Sequence, residues 1–300
     1  MTDILAAYMD RIRTHVPTLH ITSVCLNSDG LMNDVVIVNH DLVFRFAMNE
    51  EAKTLLAYET RLLQVVRRYV SLPVPRIEYT TDGFMHYRLV PGVPLYRHTL
   101  LRTDEATQDS LAHELATFLQ QLHAIPLDDV PAPPWQAVTP IESRQAVYEK
   151  RLAALEQAVY PLLWADQKAW IDDLFTPIRD GRVNLDAFTP ALIHRDLAVY
   201  HMLHDPHSGH LTGVIDYGTT GVGDVAIDWA CLINAYGERF VRRIHRYYPI
   251  SQPTIDRARF FAGALELEWA LHGLQSNDRS WFLVHLGRAR DSLPLLTPWL

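Results

Sequence analysis

The sequence predicts an α+β fold, with a small antiparallel β-rich lobe over residues 1–90 and a larger, mainly helical lobe over residues 91–300. Three observations predict it. Short runs of β-branched and aromatic residues, separated by polar turns, fill the first lobe around one long helical stretch. After Pro91-Gly92 the apolar spacing becomes helical, broken by a short β island near residues 192–216. With 48% hydrophobic and 21% charged residues in a chain of 300, the composition is that of a soluble globular protein with a full core.

Ile4, Tyr8 and Ile12 mark an amphipathic helix over 3–16, behind a cap at Thr2 or Asp3. Segments 20–26, 34–39 and 41–47 read as strands. Residues 50–70 read as a long helix stopped by Ser71-Leu72-Pro73, and strands follow at 76–80 and 84–90 around Thr81-Asp82-Gly83. In the second lobe, 104–124, 141–163 and 165–179 read as helices, with Pro131-Ala132-Pro133-Pro134 as a linker. Within the β island, Leu192-Ile193, 201–203 and 211–215 are strand-like, the last two flanking the turn Asp205-Pro206-His207-Ser208-Gly209. Helical patterns resume at Val225 and run to the C-terminus, and no internal repeat is present.

A net charge of −8 lacks the basic face of a nucleic-acid binder. It suits a cationic substrate, and solubility accounts for it equally. Cys25 and Cys231 each lie in an apolar stretch and read as buried free thiols of a reducing compartment. The N-terminus has no basic-then-apolar signal layout, and no run approaches the roughly 18 apolar residues of a membrane span. These features predict a cytoplasmic protein with no membrane partner. Nothing in the sequence sets an oligomeric state.

The chemistry gathers in the β island. His194-Arg195-Asp196-Leu197 is followed by His201 and then by Ile215-Asp216-Tyr217-Gly218. A hairpin between them would return Asp216 to the side of Asp196 and His201. Phosphoryl transfer needs one carboxylate facing the attacking hydroxyl and a second on the magnesium that bridges the nucleotide phosphates. Asp224, before Val225–Ala230, is placed to cap a helix, and Asp228 falls in its next turn; both read as structural. His201, His204, His207 and His210 recur every third residue, a spacing that zinc can use. The turn at 205–209 splays them apart, however, and neither a nearby cysteine nor an H-E-x-x-H motif supports zinc.

These residues resemble the signature of the aminoglycoside phosphotransferases, antibiotic kinases built on the protein-kinase fold. That signature is H-G-D-L-x-x-x-N, an I-D pair, then G-D-P-x-x-D. Here it stands as His194-Arg195-Asp196-Leu197-x-x-x-His201, Ile215-Asp216 and Gly223-Asp224-x-x-x-Asp228. Arg195 replaces the usual Gly, and His201 replaces the metal-binding Asn, as in the 2″-aminoglycoside and macrolide phosphotransferases. Leu119-x-x-Leu122-His123-Ala124-Ile125-Pro126 adds a further likeness.

The resemblance implies a bilobal kinase-like enzyme that uses Mg²⁺ and moves the γ-phosphate of GTP or ATP to a hydroxyl of a small molecule. It implies Asp196 as the catalytic residue that orients the hydroxyl, and Asp216 with His201 as the metal pair. His194 reads as a brace of the loop. The nucleotide loop would span 27–33, with Ser28 and Gly30, although a plain hairpin turn accounts for the single glycine as well. Arg45 matches the strand position of the phosphate-contacting Lys. Between Phe44 and Phe46 an inward Arg needs a partner, and Glu59 would supply it; an exposed strand residue is the other possibility. Tyr87, Arg88, Leu89 and Val90 would form the hinge that recognises the base through its backbone. Tyr87 at the gatekeeper place resembles family members that use GTP, and it also fits a core tyrosine.

On the acceptor side the resemblance points to Tyr236, Glu238, Glu266 and Trp269, each of which also fits an ordinary core or helix-surface role. Carboxylates and aromatic faces suit a polycationic aminoglycoside, and a wide apolar groove suits a macrolide. Glu266 and Glu268 fall on different helix faces, so they would not both face one pocket. A 2″-type aminoglycoside is the leading acceptor. A macrolide, a sugar or amino-alcohol metabolite, and a catalytically silent nucleotide-binding module are the alternatives, the last motivated by Arg195 and His201.

Overall fold

The computed structural model describes residues 2–28, 30, 32–134, 143–277 and 295–299 of the chain. The side chains of Thr2 and Asp3, where a cap is expected, loop residues Asp29 and Leu31, the helix start expected at 141–142 and the helical pattern over 278–294 lie outside what is described.

Strands β1 (Val24–Asn27), β2 (Asn33–Val38), β3 (Leu42–Ala47), β4 (Ile77–Thr81) and β5 (Phe84–Arg88) form one antiparallel sheet in the order β1-β2-β3-β5-β4. β3 is central and buried from Leu42 to Phe46. Alternation along it sends Leu42, Phe44 and Phe46 to one face, where they meet Met9 and Ile12 of helix α1 (Thr2–His15). Val43 and Arg45 take the other face, against helix α2 (Glu50–Val66), whose Leu56 packs with Val43, Met85 and Tyr87. Asn49 starts α2 by accepting the Ala52 N–H at 2.8 Å. The helix ends four residues short of 70 because its last turn tightens into i→i+3 bonds, Arg68 to Val65 and Tyr69 to Val66. Cys25, expected to be buried, is exposed, because β1 is an edge strand that turns all but Leu26 outward.

The chain leaves the sheet through residues 89–92. Gly92 has φ +116°, and a Cβ there would come 2.1 Å from Thr212 Oγ1 and 2.9 Å from the His204 carbonyl. Next, β6 (Val93–Pro94) pairs with β8 (Met202–His204), which pairs with β9 (Leu211–Val214). β7 (Ala191–Ile193) pairs with β10 (Gly221–Gly223). β6, β10 and helix α3 (Arg97–Leu100) escape sequence reading, because so few residues cannot display a period.

Helices α4 (Glu105–His123), α5 (Arg144–Ala158), α6 (Ala165–Arg179), α7 (Ala226–Tyr236), α8 (Glu238–His245) and α9 (Gln252–Gln275) complete the described fold. Asp104 caps α4 at Thr107 N, 2.7 Å away. The single helix expected over 141–163 is divided: α5 stops at Ala158 and a 3₁₀ turn holds Tyr160–Leu162, because Pro161 has no N–H to continue the ladder. α7 packs along α9, with Trp229, Leu232, Phe260 and Leu267 fully buried in the main core. No helix among the described residues is long and apolar enough to cross a membrane.

Candidate active site

The β8–β9 hairpin sets the site. Its ladder runs from Met202 opposite Val214 one rung further, where Ile215 N–H donates to the His201 carbonyl at 2.9 Å. His201 and Asp216 therefore leave the hairpin side by side, with Nε2 3.4 Å from Oδ2. On its other side the His201 ring meets the Asp196 carbonyl, Nδ1 to O 2.8 Å, and the Asp196 carboxylate, Nδ1 to Oδ2 3.5 Å. A carbonyl only accepts, so Nδ1 carries the proton, and in the neutral ring Nε2 turns its lone pair toward Asp216. The side chains of Asp196 and Asp216 are 42% and 41% exposed, which leaves both open to a ligand.

The turn that presents Asp196 is held from below. Asp228 of α7, fully buried, accepts the N–H groups of His194 (2.9 Å) and Arg195 (2.7 Å). His123 at the end of α4 meets the same carboxylate at 3.0 Å. Burial opposes ionisation of Asp228, but the His123 hydrogen bond and nearby charges outweigh it and hold its pKa below the ordinary value. His194 is also fully buried; Asp196 N donates to its Nδ1 at 3.3 Å, and burial pushes its pKa down to about 4. It is a neutral brace. Arg195 and Asp216 adopt φ of 71° and 68°, a left-handed conformation that side chains other than glycine rarely take.

Opposite lies a buried ion pair. Arg45 Nη1 is 2.7 and 2.9 Å from the two Glu59 oxygens, and its Nη2 is 3.7 Å from Asp216 Oδ1. Burial works against the charge on Arg45, but Glu59 and Asp216 outweigh it and hold the guanidinium protonated. Two further bonds tie α2 to the loop after β9. Tyr217 N–H donates to Glu59 at 3.2 Å, and the Tyr58 hydroxyl donates to the Thr220 carbonyl at 2.9 Å. Tyr87 is buried beside this pair, and burial pushes its pKa up to about 12.

The two open carboxylates are tuned in opposite directions. Burial raises the pKa of Asp196, with His201 opposing. Burial would raise Asp216 too, yet Arg45, His201 and His194 and the Gly218 N–H together bring it below the ordinary value. Neighbouring acids set apart in this way suit two separate chemical tasks.

The remaining expected residues are placed as follows. Ser28 and Gly30 are exposed in the loop after β1. Leu89 N–H donates to the Asp41 carbonyl at 2.7 Å, Val90 is buried, and Arg88 turns its side chain outward to Asp41 and to Glu78 at 3.5 Å. Two acceptor candidates are buried and engaged within the protein. Tyr236 is 1% exposed and donates its hydroxyl to the Leu95 carbonyl at 2.8 Å. Glu238 is 2% exposed, and both its oxygens are engaged by Arg259, at 2.6 and 3.1 Å. An acid buried in an apolar core needs such a partner, and that partner takes the lone pairs a substrate would use. Glu266 and Trp269 are half-buried on α9, and Glu268 pairs with Arg151 instead. The turn expected at 205–209 closes through Gly209 N to the Asp205 carbonyl, 2.8 Å, and the histidines around it disperse, His204 to the Val93 carbonyl and His210 to Glu114.

Two residues join the site that sequence reading passed over. Tyr200 stands half-exposed with its ring edge-on to His201, centroids 4.5 Å apart, and its pKa is raised by burial and then by Asp196 and Asp216. His123 is the other; in the sequence it stands only within the Leu119–Pro126 helix end. Adjacency to His201 was the one available signal for Tyr200.

Asp216 and His201 would be the protein's donors to a divalent cation. Adjacent donors in an octahedron of ~2.1 Å bonds lie about 3 Å apart, close to the 3.4 Å found here. No group of three or more metal-ligating side chains occurs among the described residues. Magnesium commonly takes one or two protein ligands and completes its shell with phosphates and water, and Asp216 with His201 makes two. The donor set fits.

Comparison with known proteins shows the family of the chain. A model described as a phosphotransferase enzyme family matches residues 23–261, and the chain belongs to that family. It is a phosphotransferase with an alcohol group as acceptor. Viomycin phosphotransferase from Streptomyces vinaceus is 24% identical over 269 residues, covering 83% of this chain and 87% of the relative. The GDP complex of wild-type aminoglycoside 2'-phosphotransferase-IIIa superposes with a TM-score of 0.82 at 28% identity, over 94% of this chain and 95% of that one. The macrolide 2'-phosphotransferase MphH from Brachybacterium faecium, at 19% identity and a TM-score of 0.70 over 95% and 99% of the two chains, shares the fold. The fold is thus the bilobal, kinase-like α+β architecture that the motifs implied.

Proposed function

We propose that this enzyme transfers the γ-phosphate of GTP or ATP, with Mg²⁺, to a hydroxyl of an aminoglycoside, at a 2″-type position. The nucleotide would lie between the sheet lobe, residues 1–90, and the helical lobe, residues 91–300, in the cytoplasm. The observation that carries the proposal is the meeting of Asp196, His201, Asp216 and Arg45 within single contacts of one another. The GDP-bound aminoglycoside enzyme, similar over almost the whole chain, supports both the donor and the acceptor class.

In this mechanism Asp196 accepts a hydrogen bond from the acceptor hydroxyl, aligns its oxygen with the γ-phosphorus and takes the proton late, since the transition state is loose. Its raised pKa suits that task. Asp216, kept ionised, and His201 Nε2 would hold magnesium, which when bound neutralises charge on the phosphate oxygens. Arg45, anchored by Glu59, directs a fixed positive charge at the phosphates. Ser28 and Gly30 would cover the phosphates, and the backbone of Tyr87, Arg88, Leu89 and Val90 would meet the base, with the buried Tyr87 favouring GTP. Glu266 and Trp269 remain on the acceptor side. The test is a phosphotransfer assay with GTP and ATP over a panel of aminoglycosides, macrolides and small metabolites. Transfer to an aminoglycoside is expected; nucleotide binding with no transfer to any member would refute the proposal.

A further inference from the structure

Helix α7 grips the Asp196 turn at two points. Asp228 takes the N–H groups of His194 and Arg195. Cys231, three residues on and so on the same helix face, donates its S–H to the Arg195 carbonyl at 3.3 Å. The Leu197 N–H also addresses the sulfur. One thiol therefore touches the residues immediately before and after Asp196. The peptide it holds needs holding, because Arg195 sits at φ 71°, a conformation that persists in a residue with a side chain only when its surroundings impose it. Cys231 is buried, and burial raises its pKa, so it stays the protonated donor that this bond requires.

We propose that Cys231 is a positioning residue: by clamping the Arg195 carbonyl it sets the direction in which Asp196 presents its carboxylate to the acceptor hydroxyl. The inference rests on the role given to Asp196 above. Asp228 fixes the N–H groups of the two preceding peptides, and the Arg195–Asp196 peptide is held on its own N–H side by His194 Nδ1 at 3.3 Å; a peptide held on one side can still rotate about that bond. Cys231 supplies the second point and removes that rotation.

Three variants test it. Cys231→Ala lowers kcat on the order of tenfold, because small misplacements of a reacting group are costly, and leaves the KM for nucleotide and acceptor unchanged. Cys231→Ser keeps a donor and restores most of kcat. Cys231→Val fills the space without a donor and behaves like Cys231→Ala; it carries the comparison if the alanine variant does not fold. Wild-type kcat in both donor-less variants, or an equal loss in the serine variant, overturns the proposal. Amide hydrogen exchange of the nucleotide-free protein supplies a readout independent of turnover. Exchange over residues 195–198 accelerates without the donor and returns with serine, and unchanged exchange refutes the clamp. Failure of wild-type protein to transfer phosphate would instead strike the role of Asp196, with the exchange result still deciding whether Cys231 holds the turn.

Discussion

Arg45 on β3 lies between two carboxylates, 2.7 Å from Glu59 on α2 and 3.7 Å from Asp216 after β9. A sheet strand, a helix and the segment after β9 therefore meet at one cation, and Glu59 passes the contact on to the Tyr217 N–H. Neither member of the pair has water to fall back on, with the Arg45 and Glu59 side chains 9% and 2% exposed.

Removing one partner should leave a buried charge uncompensated. Arg45→Met is expected to destabilise the fold by about 3–5 kcal/mol. Arg45→Lys, which keeps the charge but loses the planar fork, should cost less while still raising the nucleotide KM. Urea denaturation of both variants checks this, and equal stability of Arg45→Met and the native protein would contradict it.

Asp196 should matter for rate alone. Asp196→Ala is expected to lower kcat by ~10²–10⁴ with an unchanged melting temperature, since its carboxyl is half-exposed and its ionised form is disfavoured where it sits. A calorimetric scan beside the kinetic assay separates the two effects.

Acid should weaken the fold through His194. Its pKa is about 4 when folded, against 6.5 when exposed, so the unfolded chain binds the extra proton first. The resulting stability is complete above pH 6.5 and drains away as pH falls toward about 4, by up to ~3 kcal/mol. Urea melts between these pH values should show that slope in the native protein and a flatter one in His194→Asn. Identical slopes would assign the effect to other groups.

Glu238→Ala tests the reassignment of an acid once offered to the substrate. Arg259, 1% exposed on its side chain, would lose its two bonds to Glu238 but keep Asp256 at 3.3 Å, and a loss of about 1–3 kcal/mol follows. The acceptor KM of the folded fraction should not move; a raised acceptor KM with native stability would return Glu238 to the substrate.

Tyr200 should shape the acceptor side. Its half-exposed ring stands edge-on to His201, and an aromatic face there can carry a sugar ring or an ammonium group. Tyr200→Ala is expected to raise the acceptor KM several-fold, equivalent to roughly 1 kcal/mol, with the nucleotide KM unchanged. Steady-state kinetics varying each substrate in turn decides it.

How much of this the sequence displays depends on how local each cause is. The Asp196–His201–Asp216 cluster is legible because a strong turn between two strand-like runs closes a hairpin, and closure puts its ends together. Arg45 is legible for a similar reason: a charge between two inward phenylalanines must find a partner. The acceptor wall is not legible. Glu238 resembles a free acid until Arg259, on a different helix, takes its charge. α9 buries Asp256, Arg257 and Arg259 together, so it presents no polar face from which a reader could infer which acids meet solvent. Cys25 misleads in the opposite way, since an apolar neighbourhood does not reveal that its strand lies at the sheet edge.

Gly92 bears on how this enzyme can change over time. A side chain at that position would drive into Thr212 and the His204 carbonyl, on the two strands whose far ends carry His201 and Asp216. The exposed ring of Tyr200 and the outer surface of α9 can vary one residue at a time, so acceptor preference can drift gradually. The crossing between the lobes cannot. If the rim meets the acceptor as proposed, new substrates can be acquired there, while the alignment of the proposed metal pair is inherited whole through a residue with no side chain.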